Sequence, residues 1–174
     1  GTNTPHRTGV WMATLTKVDL LEALRARRTF ATEDANASIY LKANGAWMGT
    51  EIPNTGAVIF EVAYADPDDE IPTILQLISD GGQVIAETVP TAADFFWGFD
   101  LSITPGVHYY YVKATQADGD RVVSSPVWTT GDEDIAITDV VIQPTIPTIH
   151  NPSLLTARVT NRVAEVRSVT VTIA

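Results

Sequence analysis

The groups of this chain that could do chemistry are three histidines and 21 carboxylates; cysteine is absent. His6, His108 and His150 are scattered. No His-Glu-x-x-His pair, Gly-x-Ser-x-Gly elbow, phosphate loop or dinucleotide fingerprint occurs. His108 stands in a β-pattern with Tyr109, Tyr110 and Tyr111, which predicts a packed or edge-strand side chain. His150 falls in a proline-rich stretch and reads as exposed. His6 is one neutral imidazole near the start of the chain, and a single such ligand does not hold a divalent cation. The segment from Asp66 to Glu70 sets Asp66, Asp68 and Glu70 at alternating positions, as Ca2+ ligands are often set. An EF-hand register would then need glycine at Ile71 and glutamate at Leu77. The segment therefore predicts a solvated turn on Asp66-Pro67-Asp68 rather than a cation site.

Aromatic rings point to binding rather than catalysis. Trp11, Trp47, Trp97 and Trp128, with the tyrosine triplet, could stack on sugar rings. Strand alternation, however, sends Tyr109 and Tyr111 to one face and Tyr110 to the other, so at least one set is core. Asn36-Ala37-Ser38 is a glycosylation sequon, short enough to occur by chance.

The net charge of −10 removes the basic footprint of a nucleic-acid binder. No apolar run is long enough to cross a bilayer. Without cysteine there is neither a disulfide nor a thiolate metal site, and the compartment stays open.

These groups must be positioned by a mainly β chain with one helix. Thr16 can cap that helix and Asp19 follows three residues on, as in a capping box. Val18, Leu20, Leu21 and Leu24 make an apolar stripe, expected to pack on the β-layer behind it. Arg25, Arg27 and Arg28 are expected in the last turn, complementing the helix dipole. Downstream, Ser38 to Ala43 meets an Asn44-Gly45 hairpin turn with a partner strand through Trp47. Val58, Phe60, Val62 and Tyr64 alternate onto one face. Ile74 to Ser79 and Val84 to Val89 flank Asp80-Gly81-Gly82, and Phe95 to Leu101 follows. Val107 to Gln116 pairs with Arg121 to Thr129 through Ala117-Asp118-Gly119-Asp120. Seven or eight strands at this spacing predict an immunoglobulin- or fibronectin-like sandwich.

Several strings in one order carry a family resemblance. They are Arg7-Thr-Gly-Val-Trp11, the helix end Ala23 to Thr32, Asn44-Gly45 with Trp47-Met48-Gly49, and Thr115 to Arg121 before Ser124-Ser-Pro-Val-Trp128. From about Thr2 to Trp128 the chain resembles the C-terminal region of polymerase and histidinol phosphatase (PHP) type metal-dependent hydrolases, in the subgroup with a β-sandwich after the catalytic barrel. The resemblance implies a preceding distorted α/β barrel that binds divalent metals and hydrolyses phosphoesters. In that family Gly-x-Asp-x-His precedes the Arg-Thr-Gly-Val-Trp string. Here Gly1-Thr-Asn3-Thr-Pro5-His6 has Asn3 in the aspartate's place, so His6 could serve as a metal ligand only in the intact parent.

Three parts are expected: 1–36 as the tail of the PHP domain, 37–130 as the sandwich, and 131–174 as an acidic linker with a partial second module. The last part offers β-segments at Ile137 to Ile142, Leu154 to Thr160 and Ser168 to Ile173. It resembles the opening of another immunoglobulin-like domain of the kind found in extracellular multidomain proteins, and its edges could support a homodimer. The expected function is a noncatalytic accessory region of a larger metallohydrolase, with no cofactor of its own. A carbohydrate- or ligand-binding module and a fragment keeping part of an active site are the alternatives.

Overall fold

The computed structural model describes residues 6–131, 135–143 and 154–161. The chain divides into two compact units, Gly1–Asp132 and Glu133–Ala174. The first is a two-sheet β-sandwich with one helix. In chain order it comprises β1 (Arg7–Val10), α1 (Lys17–Arg25), β2 (Thr29–Thr32), β3 (Ser38–Ala43), β4 (Ala46–Trp47), β5 (Glu51–Pro53) and β6 (Ala57–Ala65). There follow β7 (Ile74–Ser79), β8 (Gln83–Thr88), β9 (Asp94–Ser102), β10 (His108–Thr115), β11 (Arg121–Ser124) and β12 (Val127–Thr130).

One sheet runs β4-β3-β6-β9, antiparallel throughout. The other is centred on β10, which pairs with β7 on one side and with β11 and then β12 along its length. Beyond these lie β8, β2 with β1, and β5, the last parallel to β12. Alternation explains the core. Val58, Phe60, Val62 and Tyr64 of β6 point inward with Ile39 and Leu41 of β3, against Leu75, Leu77, Val112 and Ala114. The Phe60 and Tyr110 rings meet between the sheets at 5.3 Å between centroids. Asn44 and Gly45 both take positive φ, 49° and 77°, matching the twist of a tight hairpin.

The expected strand from Arg121 to Thr129 is split, because Pro126 has no N–H to give the ladder. Ser124 Oγ instead accepts the Val112 N–H at 2.9 Å. The expected boundary after Asn36 is also corrected. Val122 faces Thr32 and Ser124 faces Phe30, so β2 is a strand of the sandwich sheet and β1 is its next neighbour. Gly9 is needed there, since a Cβ would lie 1.9 Å from the Phe30 ring.

The helix is capped as expected, with Asp19 N donating to Thr16 Oγ1 at 3.1 Å and Asp19 Oδ2 accepting Thr14 N at 3.0 Å. Its apolar stripe is not where it was expected. Val18, Leu21 and Leu24 are 73%, 40% and 44% exposed, and Leu15 is 91% exposed, whereas Ala23 is buried. Beyond its C-terminus the helix is tied to the sandwich through Arg27, whose Nε–H donates to Gly49 O. Arg28 N bonds Ala23 O and Arg27 N bonds Leu24 O, a Schellman pattern with Arg27 at φ 56°. That pattern ends the helix at Ala26 and places Arg27 and Arg28 beyond it instead of in its last turn.

In the second unit, β13 (Ile135–Gln143) pairs antiparallel with β14 (Leu154–Asn161), from Ile135 opposite Asn161 to Gln143 opposite Leu154. The third expected strand, 168–173, and His150 lie outside the described residues.

Candidate functional site

Asp66 follows directly on β6, and Gln116 directly on β10. The loop after β2 brings Asp34 to the same end of the sandwich. Asp34, Asp66 and Glu70 each offer a carboxylate oxygen, all within 4.8 Å of one another. Asp34 Oδ1 accepts the N–H groups of Asn36 at 2.7 Å and Ala37 at 2.9 Å. Asp66 is 5% exposed, not the solvated turn residue the sequence suggested. Its Oδ1 accepts Asp68 N at 2.8 Å, and its Oδ2 accepts Gln116 Nε2 at 2.9 Å and Tyr64 Oη at 3.3 Å.

The electrostatics follow from crowding like charges. Burial and then the Asp118, Asp66 and Asp34 carboxylates push the Glu70 carboxyl up. Burial, Asp118, Glu33 and Asp34 do the same to Asp120. Burial also acts upward on Asp34, but the Asn36 and Ala37 N–H groups and the Gln116 amide outweigh it and hold the group below its usual range. Burial and the neighbouring Asp66 raise the Tyr64 hydroxyl, keeping it a neutral donor. Such an array of hard oxygens can accept protons, N–H groups or a hard cation.

At the other end of β10 a second polar cluster forms. His108 Nδ1 lies 2.5 Å from Asp80 Oδ2, and Nε2 lies 3.2 Å from Thr104 Oγ1. The cluster edges a cleft of 330 Å³ with apolar walls from Ile85, Leu101 and Ile103. Asn54, 5% exposed, holds the Thr104 loop by donating to Thr104 O and Gly106 O at 2.8 and 2.9 Å. A carboxylate orienting an imidazole beside a hydroxyl is the geometry of a general base. The His108 and Tyr109 N–H groups, however, already bond Thr129 Oγ1 and Asp80 Oδ1, and neither is free for an oxyanion. The hydrogen bond to Asp80 raises His108, and the same bond lowers Asp80.

His6 lies in a third place. Its exposed ring has Nδ1 3.6 Å from Glu33 Oε1, at a groove shared with Arg7, Tyr111 and Lys113. Glu33 is already gripped by Arg121, with Nε at 2.9 Å and Nη2 at 2.8 Å, and these bonds hold its carboxyl below the usual range. His6 is not part of the acidic cluster.

The aromatic rings are mostly half-buried. Tyr110 is core, while Tyr109 and Tyr111 stack on the opposite face of β10 with centroids 6.3 Å apart. Trp11 donates Nε1–H to Ile39 O at 2.8 Å and packs near Tyr40 and Trp47. Trp97 lies on Phe99 at 4.2 Å.

Sequence reasoning missed Asp34 and Gln116 because the loops that meet are far apart in the chain. It passed over the Asp80–His108 pair for the same reason. The one available signal was the acidity of Asp66 to Glu70.

No family model matches this chain, and no curated protein matches it. Among solved structures it is similar to an engineered protein from a structural genomics effort, at 14% identity and a TM-score of 0.36. The similarity covers 53% of this chain and 20% of that one, so the chain spans a fifth of that structure's length.

Proposed function

We propose that this chain is a noncatalytic, immunoglobulin-like accessory region of a larger PHP-type metal-dependent phosphoesterase. The observation that carries this reading is the exposed apolar face of α1, formed by Val18, Leu21 and Leu24, with exposed Leu15 just before its N-cap. A helix held rigidly to a sandwich yet turning leucines to water presents a surface for another domain. In the proposed assembly that domain is the barrel.

Three of the strings that carry the family resemblance support the same reading, because the helix end, the Gly49 segment and Ser124 to Trp128 meet at one junction. Gly49 N donates to Pro126 O at 2.7 Å, Ser125 N to Thr29 O at 2.9 Å, and Trp128 N to Thr50 O at 3.0 Å. Arg27 bonds Gly49 O and lies 5.0 Å over the Trp128 ring. Their shared task is to fix α1 against the sandwich, a structural role that needs no catalysis.

The test compares this chain with a longer polypeptide that carries the barrel in front of it. Metal-dependent phosphodiester hydrolysis is expected in the longer protein alone. Turnover by purified 1–174, abolished by His6→Ala, would overturn the reading.

A further inference from the structure

We infer that the cleft beside Asp80 and His108 binds a small primary amine, its ammonium group held by Asp80 and its hydrocarbon body lying on Ile85, Leu101 and Ile103. The inference does not rest on the accessory role proposed above.

The cleft follows from topology. β8 ends one sheet and β9 ends the other, and among the described residues no strand joins these two edges. A bulge in the β7–β8 ladder between Leu77 and Ile78 leaves Ile85 without a partner residue, and Ile85 lines the gap with Leu101 and Ile103. The volume of 330 Å³ stands at the small end of the about 300–1,000 Å³ of ligand pockets, which suits a body of a few carbons. An apolar wall with a few polar groups gathered at one end is the general form of a small-molecule site.

The polar end decides which head group is recognised. Both ring nitrogens of His108 are engaged, Nδ1 by Asp80 Oδ2 at 2.5 Å and Nε2 by Thr104 Oγ1 at 3.2 Å. Among the described residues, no lysine or arginine lines the cleft. The site therefore has no cation to spare for a carboxylate or a phosphate. It has acceptors instead. An ionised carboxylate offers about four lone-pair sites. Asp80 uses Oδ1 for the Tyr109 N–H at 3.2 Å and Oδ2 for His108, and its side chain is still 46% exposed. The matching head group is a donor with positive charge. The net charge of −10 draws cations toward the chain and repels anions.

An ammonium group at Asp80 competes with His108 for one carboxylate. Among the described residues, Asp80 is the charged group acting on His108, while Thr104 and Thr129 reach it as neutral hydroxyls and the Tyr110 ring stands 6.3 Å away between centroids. The hydrogen bond to Asp80 raises His108. A bound ammonium offsets that effect and favours the neutral imidazole, which donates from Nδ1 to Asp80 and accepts the Thr104 O–H at Nε2. The Thr104 oxygen is then left to accept from the ligand. Affinity must rise as pH rises through the His108 pKa, because an alkylamine, like lysine at about 10.4, stays charged throughout.

The experiment titrates the whole chain with n-hexylammonium chloride at constant ionic strength, with 1-hexanol, sodium hexanoate and ammonium chloride as comparisons. The His108 imidazole is followed by NMR and assigned with His108→Gln. Hexylammonium is expected to saturate the site with a Kd of about 1 mM or below at about pH 8. The three comparison compounds, and hexylammonium itself at about pH 5.5, should bind about fivefold or more weakly. Saturation with hexylammonium should lower the His108 pKa, and hexanol should leave it in place. Asp80→Asn should weaken amine binding about fivefold or more. Ile85→Ser, at an exposed edge position, should weaken it while keeping the Asp80–His108 pair, so it guards against a misfolded Asp80→Asn. Hexanol or hexanoate binding as tightly as hexylammonium, a His108 pKa that is unmoved or raised by the amine, or an amine affinity that survives both variants would overturn the inference.

Discussion

Arg27 donates its Nε–H to the carbonyl of Gly49 across 2.9 Å, while Gly49 presses so close to the helix end that an added Cβ would lie 2.1 Å from Ala26 O. Each residue explains the other. Arg27 accepts a left-handed backbone, φ 56°, that costs a non-glycine residue about 1–2 kcal/mol. In return its side chain bonds Gly49 and covers the Trp128 ring.

Gly49→Ala is therefore expected to destabilise by about 3 kcal/mol or more, from a strained φ of 89° together with a backbone clash. Gly45→Ala, at a similar φ of 77° but with nothing within 4 Å, should lose only about 1–2 kcal/mol. Urea unfolding of the two variants side by side checks this. Equal losses would mean that the contact with the helix end is not made.

Charging the exposed helix face should leave the sandwich intact. Val18→Asp with Leu21→Asp is expected to change the stability of this chain by no more than about 0.5 kcal/mol, as for surface sites. The same pair should weaken a longer protein in which the barrel covers α1. A large loss in this chain alone, read by thermal unfolding, would show that the stripe is already packed.

The Asp80–His108 pair gives stability a definite pH dependence. His108 is raised above its usual 6.5, so its contribution is full below that value and is lost as pH rises through the raised pKa. Asp80 is lowered below 3.8, so its share is present above that value and is lost as pH falls through the lowered pKa. The Tm gap between wild type and His108→Gln should be widest between about pH 4.5 and 6.5 and should shrink by about pH 8. Asp80 is 46% exposed, so added salt should narrow the gap. A gap that widens from pH 6 to 8 would contradict the pairing.

Truncation after Gly131 should leave one cooperative, monomeric unfolding transition. The described core runs from Phe30 to Val127 and lies wholly within the first unit. Calorimetry with size-exclusion chromatography decides it. Loss of cooperativity would show that β13 and β14 are needed by the first core.

The local features were written in the sequence because short-range sterics and hydrogen bonding decide them. Asn44-Gly45 specifies its hairpin by tolerating positive φ, Thr16 and Asp19 specify a helix start, and Val58 to Tyr64 alternate because a strand has period two. What escaped the sequence depended on long-range contact. The direction in which α1 turns its leucines is set by Arg27 reaching Gly49, 22 residues on. The place of β1 and β2 in the sandwich is set by pairing with β11, about ninety residues later, which no local pattern announces. The burial of Asp66 is likewise decided by Gln116, 50 residues away, arriving from the opposite sheet. Local propensity fixes which residues form strands and turns. The closure of two sheets over one core fixes which loops meet, and with them whether a carboxylate stands in water or in a cluster.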